Sequence, residues 1–274
     1  MPYSLYCRAR AVMRQRFGVV PLQESLPDVA DWLETPLGQA VLEQERMLLE
    51  QELQDLFGYH LLQMSVDPAL DLTRGSRITH RFTLSPTGAT KGPLSPLVAD
   101  SDALPLPSDC LDLVLLHHLQ DYSQTPHQLL REVARVLIPR GHLVLIGFNP
   151  WSLLGLSGWL ARCFSRKPRW RHQSLRLGRI MDWLQLLDLE LVAVRHGFFR
   201  PPASRSSTLR HLHWLERWGK RLLLFPGGVY LIVARKDVGA TIPLKPCWSQ
   251  VEPQTGLEGA KSVRKEQKAC KSSQ

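Results

Sequence analysis

A chain of 274 residues allows one or two domains and can bury a sizeable core without staples. Its 44% hydrophobic and 22% charged residues exclude collagen, coiled-coil and wholly disordered classes. Five cysteines (Cys7, Cys110, Cys163, Cys247, Cys270) stand singly with no CxxC pair, which argues against a disulfide framework and for a reducing compartment. The net charge of +9 is unevenly spread. Residues 1–23 carry +4, residues 24–150 carry −9, residues 151–235 carry +11 and residues 236–274 carry +3. The basic character therefore belongs mainly to one stretch after an acidic half, and it marks either an anion-facing surface or a solvated face.

In chain order, residues 1–27 are expected to form an N-terminal extension. Met1 to Phe17 is basic but lacks a signal-type apolar core, and serine is too sparse for an organellar presequence. Thr35-Pro36 reads as a helix start, with Leu37, Val41, Leu48, Leu49, Leu53 and Leu56 following near helical spacing and Glu and Gln between them. That helix is expected to end near Gly58. Strands are expected at Tyr59–Val66, at Arg77–Leu84 and, after a polar loop, at Pro96–Ala99. Leu111 to Leu116 is almost continuously apolar, as in a strand buried on both faces. Pro126 opens a helix that carries Leu129, Leu130, Val133, Val136 and Leu137 on one face. Pro139-Arg140-Gly141 stops it, and His142 to Gly147 is a second buried strand. Strand, helix, strand at this spacing is a βαβ unit with a right-handed crossover. Beyond Trp151, helices at Leu177–Leu187 and Thr208–Leu224 and strands at Glu190–Phe199 and Val229–Ala234 complete the alternation. The expected fold is α/β: one Rossmann-like domain over residues 28–236, with a mostly parallel seven-stranded sheet and helices on both faces. Residues 151–225 form a basic, Trp-rich lid or substrate-side insertion, and residues 237–274 a disordered tail. No run of 18 apolar residues exists, so no transmembrane helix is expected.

The chemistry concentrates in Ala99-Asp100-Ser101-Asp102-Ala103-Leu104-Pro105-Leu106-Pro107 and the following Asp109-Cys110-Leu111-Asp112-Leu113-Val114. With Arg135-Val136-Leu137-Ile138-Pro139-Arg140-Gly141 after it, this stretch resembles the class I S-adenosylmethionine-dependent methyltransferases of type 11. That family has an acidic residue at a strand end, a Leu-Pro loop into its fourth strand and an RVLxPGG turn. Here one glycine of the turn is Arg140. The resemblance implies S-adenosylmethionine as cofactor and methyltransferase activity. Ligands in such sheets lie beyond the carboxyl ends of the strands, at the topological switch point. There Asp100 would accept from the adenine amino group, the Ser101 N–H would donate to a ring nitrogen, and Leu104 would cover the ring face. Gln63 and Ser65, at the end of the first strand, and His117 would contact the rest of the cofactor. His117, His118 and Asn149 are the catalytic candidates. Neighbouring strand residues point to opposite faces, so at most one of the two histidines is expected to face the site. No metal is expected, because His117, His118 and His127 lack ligand spacing.

The sequence departs from the family at the glycine-rich turn. No GxGxG follows the first strand, which ends Gln63-Met64-Ser65-Val66-Asp67-Pro68, and no acidic residue ends the second. A catalytically inactive methyltransferase fold is therefore the alternative reading. It would be a binding module whose basic 151–235 face, holding six of the eight tryptophans, grips RNA or anionic lipid. As a partner the reading requires a methyl acceptor, of anionic character if it meets the basic face. Nucleic acid and a membrane surface both stay open, with no motif for either. A cytoplasmic location is expected. A nicotinamide-dependent dehydrogenase is disfavoured because GxGxxG is absent.

Overall fold

The computed structural model describes residues 22–85, 92–164, 175–202 and 227–237. The expected helix at Thr208–Leu224, the tail after 237 and most of the N-terminal extension lie outside them. Helix α1 (Leu22–Leu33) begins inside the stretch ascribed to that extension and carries Pro27 within it. Helix α2 (Pro36–Leu53) starts where the sequence placed it: the Thr35 hydroxyl accepts from the Gly38 N–H at 3.2 Å and donates to the Trp32 carbonyl at 2.6 Å. Strands β1 (His60–Ser65), β2 (His80–Ser85), β3 (Ser95–Val98) and β4 (Leu111–His117) follow. Then come the short α3 (Leu119–Tyr122), α4 (Pro126–Val136), β5 (Leu137–Phe148), α5 (Leu153–Phe164), α6 (Leu177–Leu186), β6 (Leu189–Gly197) and β7 (Val229–Lys236).

These strands form one seven-stranded sheet in the order β3-β2-β1-β4-β5-β7-β6. The pairs from β3 through β5 are parallel, and β7 runs antiparallel to both β5 and β6. The switch point lies between β1 and β4, whose Ser65 and His117 are register partners at the carboxyl edge.

Side-chain alternation divides the core into two layers. On one face Leu61, Leu113, Leu115, Val144 and Ile146 pack under Trp32, Leu33, Val41, Leu42 and Leu49 of α1 and α2. On the other face Leu62, Val114, Leu116, Leu143 and Leu145 meet Leu129, Leu130 and Val133 of α4, and Ile180 and Leu184 of α6. Strand β4 is buried almost throughout, as its apolar run requires.

The connections differ in kind. Between β4 and β5 the crossover carries a full helix. Between β1 and β2 it is a strap without any helix, residues 66–79. This strap lays Val66, Leu72 and Ile78 into the α2-side core. Gln63 of β1 holds it, donating from its amide to the Leu70 carbonyl at 2.6 Å and accepting from the Leu72 N–H at 2.9 Å.

Near the start of β5, where its register against β4 shifts, Arg140 adopts φ +68°, a region that costs a side-chain-bearing residue roughly 1–2 kcal/mol relative to glycine. This is the position at which the sequence carries arginine in place of glycine. The next residue needs its glycine for space: a Cβ on Gly141 would lie 2.9 Å from the Ile138 carbonyl oxygen. Arg140→Gly is therefore expected to stabilise the fold by about 0.5–1 kcal/mol after the greater chain entropy of glycine is subtracted. A raised thermal midpoint would register it, and Gly141→Ala should lower the same midpoint.

Candidate active site at the sheet switch point

Glu45 lies on the inward face of α2, one turn after Val41 and one before Leu49, and is fully buried. Its Oε2 is 3.1 Å from His117 Nε2, and its Oε1 is 2.7 Å from His118 Nε2. His117 Nδ1 lies 2.8 Å from Ser65 Oγ, which also accepts from the Asp67 N–H. His118 Nδ1 lies 3.2 Å from Asp121 Oδ2, which also accepts from the Phe148 N–H at 3.0 Å. The His118 ring stacks on Phe148, with centroids 3.8 Å apart. One carboxylate thus joins α2 to the ends of β1, β4 and β5.

Both histidines reach the same carboxylate, contrary to the expected strand alternation. The cause is backbone conformation: His118 sits at φ +55° as the residue that caps α3. The strand has ended there, and its two-residue period ends with it.

Charge is arranged accordingly. Burial opposes ionisation of Glu45, but the His118 charge and the hydrogen bonds to both imidazoles hold its pKa down at about 2. Burial also opposes charge on His118, yet Glu45 and Asp121 push its pKa up to about 9. His117 titrates below the usual histidine range, chiefly because burial outweighs its bonds to Glu45. The network therefore assigns a doubly protonated His118 that donates to Glu45 and Asp121. It assigns a neutral His117 that donates to Glu45 and accepts from the Ser65 hydroxyl. Donor atoms of Glu45, His117 and His118 all lie within 4.8 Å of one another, a spacing that could also hold a metal ion. Glu45 lies 72 residues before His117, so local ligand spacing gave no sign of the grouping.

The remaining site residues fall into two groups. Asp100 is exposed just beyond β3, in a tight turn where its carbonyl accepts from the Ala103 N–H. Ser101 is buried, with its hydroxyl 3.3 Å from an Asp102 carboxylate oxygen that accepts it. Leu104 is buried in the α4-side core, and its N–H donates to Glu132. Close by, the Ser85 hydroxyl at the end of β2 is buried without a partner. Farther along the carboxyl edge, Asn149 and Trp151 line a cavity of about 1060 Å³ together with Arg176, Arg179, Trp183 and His196. Asn149 shapes its own loop, accepting from the Trp151 N–H at 3.1 Å.

Against an S-adenosylmethionine ligand, the nucleoside end fits: an exposed carboxylate (Asp100) and an unpartnered buried hydroxyl (Ser85) stand at neighbouring strand ends. The amino-acid end fits less well. After β1 the chain turns through Asp67, whose carboxylate accepts from the Ala69 N–H, and no glycine turn or helix N-terminus faces the crevice there. Gln63 is engaged with the strap, and Ser65 with His117 and Asp67.

The coupled titrations give stability a definite pH profile. His118, raised in the fold, contributes fully below about pH 6.5 and loses that contribution as pH rises through about 9. His117, lowered in the fold, makes stability fall as pH drops below 6.5. Glu45 adds to that acid loss below about 4.5. Chemical denaturation of the wild type should therefore show a maximum near pH 6–7. Glu45→Ala should cost about 3–5 kcal/mol at neutral pH, because it strands a buried cation, and it should flatten the alkaline limb. An unchanged alkaline limb would contradict the assignment.

Known proteins resemble this chain in sequence and in fold. A family model described as a methyltransferase domain matches residues 70–145. An uncharacterized protein, YafS of Escherichia coli strain K12, is 32% identical over 234 residues, covering 82% of this chain and 86% of that one. Among solved structures, a Thermotoga maritima S-adenosylmethionine-dependent methyltransferase, described as a possible histamine N-methyltransferase, superposes with a TM-score of 0.59. It is 15% identical and covers 77% of this chain and 95% of that one. A chain from the complex between the Haloferax volcanii Trm112 methyltransferase activator and a protein described as a putative methyltransferase gives a TM-score of 0.50 at 14% identity, covering 70% of this chain and 87% of that one. At these identities the structural likeness speaks to the fold. This chain and the E. coli protein belong to one family, and this chain carries a methyltransferase domain on the fold of the class I S-adenosylmethionine-dependent methyltransferases, which implies S-adenosylmethionine as its cofactor.

Proposed function

We propose that the chain transfers a methyl group to an acceptor held in the cavity beside Asn149 and Trp151. The observation that carries this reading is the pairing of two features on one sheet edge. An exposed Asp100 stands beyond β3, suited to an adenine amino group, and a cavity of about 1060 Å³ opens beyond β5. The bound cofactor supplies an electrophilic methyl on a sulfonium centre. Asp100 and the Ser101 N–H would bind the base, with Leu104 as its apolar neighbour, and the Ser85 hydroxyl is available to the ribose.

His117 and His118 act as positioning residues in this reading. Both are buried and bonded to Glu45, so they fix the ends of β4 and β5 and leave proton removal to groups of the cavity wall. Asn149 and His196 are the polar groups there nearest the strand ends, and His196 keeps an unpartnered buried Nδ1. Much of the rate enhancement in such a site comes from holding methyl and nucleophile in line. Arg176 and Arg179 outnumber Asp182 at the cavity wall and favour an acceptor with an anionic group.

Calorimetric titration of the purified chain with S-adenosylmethionine tests the reading. Saturable binding is expected, and Asp100→Ala should weaken it about tenfold, equivalent to roughly 1.4 kcal/mol. No heat and no thermal shift at about millimolar ligand, where even a binder worth only some 4 kcal/mol would register, would refute it.

A further inference from the structure

We propose that α5 is a membrane-surface helix that lays its outward face on an anionic bilayer. The face consists of Leu153, Leu156, Trp159 and Leu160, which are 36%, 52%, 63% and 44% exposed. These residues recur at intervals of three and four, so they share one side of the helix. The opposite side is already engaged. Leu154 enters the core, and Gly155 comes so close to the loop before it that a Cβ there would sit 2.3 Å from the Asn149 carbonyl oxygen. The helix is thus apolar on its protein side and on its solvent side, with no charged residue from Leu153 to Ala161. A helix apolar all round belongs in a core or in lipid, and this one has only half of its surface in the core.

Length and charge select the lipid surface. Twelve residues make a helix of about 18 Å, too short for the roughly 30 Å of a bilayer core and suited to lying within its interface. Between Trp151 and Arg171 there is no acidic residue, while Arg162, Arg166, Lys167, Arg169 and Arg171 supply five positive charges. A second copy of the chain would bring the same positive charges against these. The bases of an RNA would find only the Trp159 ring to stack on in a face that is three-quarters aliphatic. Anionic headgroups satisfy the charges, and acyl chains satisfy the leucines. Trp151, 68% exposed, suits the headgroup level. Its ring lies under the Arg176 guanidinium at 5.0 Å, and both residues also line the cavity. Docking would therefore set the cavity mouth at the membrane. The proposal rests on the exposed apolar face and on the basic sequence that follows it, and it stands independently of methyl transfer.

Flotation of the full chain with vesicles tests it. One vesicle preparation is phosphatidylcholine alone, and the other contains about a quarter phosphatidylglycerol. Binding to the anionic vesicles should be at least about tenfold tighter than to neutral ones and should weaken with added salt. The triple variant Leu156→Gln/Trp159→Gln/Leu160→Gln should lose at least about tenfold in vesicle affinity. Leu186→Gln, at an exposed leucine on α6 (82%), should lose none. If the triple variant fails to fold by circular dichroism, brominated lipid provides the second readout: wild-type tryptophan fluorescence should be quenched, and less so in Trp159→Gln. Absence of flotation with either vesicle would overturn the proposal, as would undiminished binding by a folded triple variant. So would a self-association or an RNA complex that the triple variant abolishes while vesicles go unbound.

Discussion

The placement of one buried carboxylate constrains the rest of the site. Glu45 occupies the same inward stripe of α2 as Val41 and Leu49, so seating the helix on the sheet necessarily removes its charge from water. An unpaired carboxylate in that position would be prohibitively costly. The helix can therefore dock only where both imidazoles meet the two oxygens. A shift of one turn along the sheet would preserve much of the leucine packing but separate Glu45 from His117 and His118. Apolar contacts drive the docking, and the charge pairing selects its register. In turn, the helix fixes the end of β4 through both histidines and the end of β5 through Asp121 and Phe148. The edge on which ligands bind in this fold is held from beneath by that network.

This network also occupies the place where the family's most recognisable device is missing. A glycine-rich turn leading into a helix normally brings backbone N–H groups to the switch point. Here β1 leads instead into a strap pinned by Gln63, and the polar groups at the switch point are side chains bonded to each other. The sheet is asymmetric in consequence. Its β4–β5 half retains a helical crossover and a full complement of buried apolar residues. Its β1–β2 half relies on α2, which precedes the sheet in sequence, to cover the face. An ordering helix contributed from the N-terminal side, with a side-chain network under the crevice, supplies what a βα turn supplies elsewhere.

Much of the architecture was legible in the sequence because it rests on local patterns. The apolar run at Leu111–Leu116, the stripe of α4 and the Thr35-Pro36 cap each report on their immediate neighbours. The seven-stranded Rossmann-like sheet followed from the alternation of elements and from the resemblance carried by Asp100 to Pro107 and Arg135 to Gly141. The features that escaped are those in which local pattern and tertiary context conflict. Glu45 reads as one more polar residue among the Glu and Gln of α2, since nothing nearby in the chain reveals the two histidines waiting 72 and 73 residues on. His117 and His118 were assigned opposite faces because the left-handed turn at His118 cannot be anticipated from a histidine, a residue without glycine's freedom. Helix α1 was concealed by Pro27 within it.

The fold divides the basic 151–235 stretch into parts with different physical roles. Leu189 through Gly197 and Val229 through Lys236 are the antiparallel margin of the sheet, with His196 turned to the cavity. Arg176 and Arg179 belong to a cavity wall, one of them stacked on Trp151. Leu153 through Leu160 form an apolar surface beside that wall. A net charge spread over a surface only attracts anions, whereas a cationic wall adjoining an apolar ridge discriminates among them. It favours a molecule or surface that is anionic at one end and hydrocarbon at the other. The cavity beyond β5 and the outward face of α5 therefore present the same chemical preference at two scales, and Trp151 is the residue common to both.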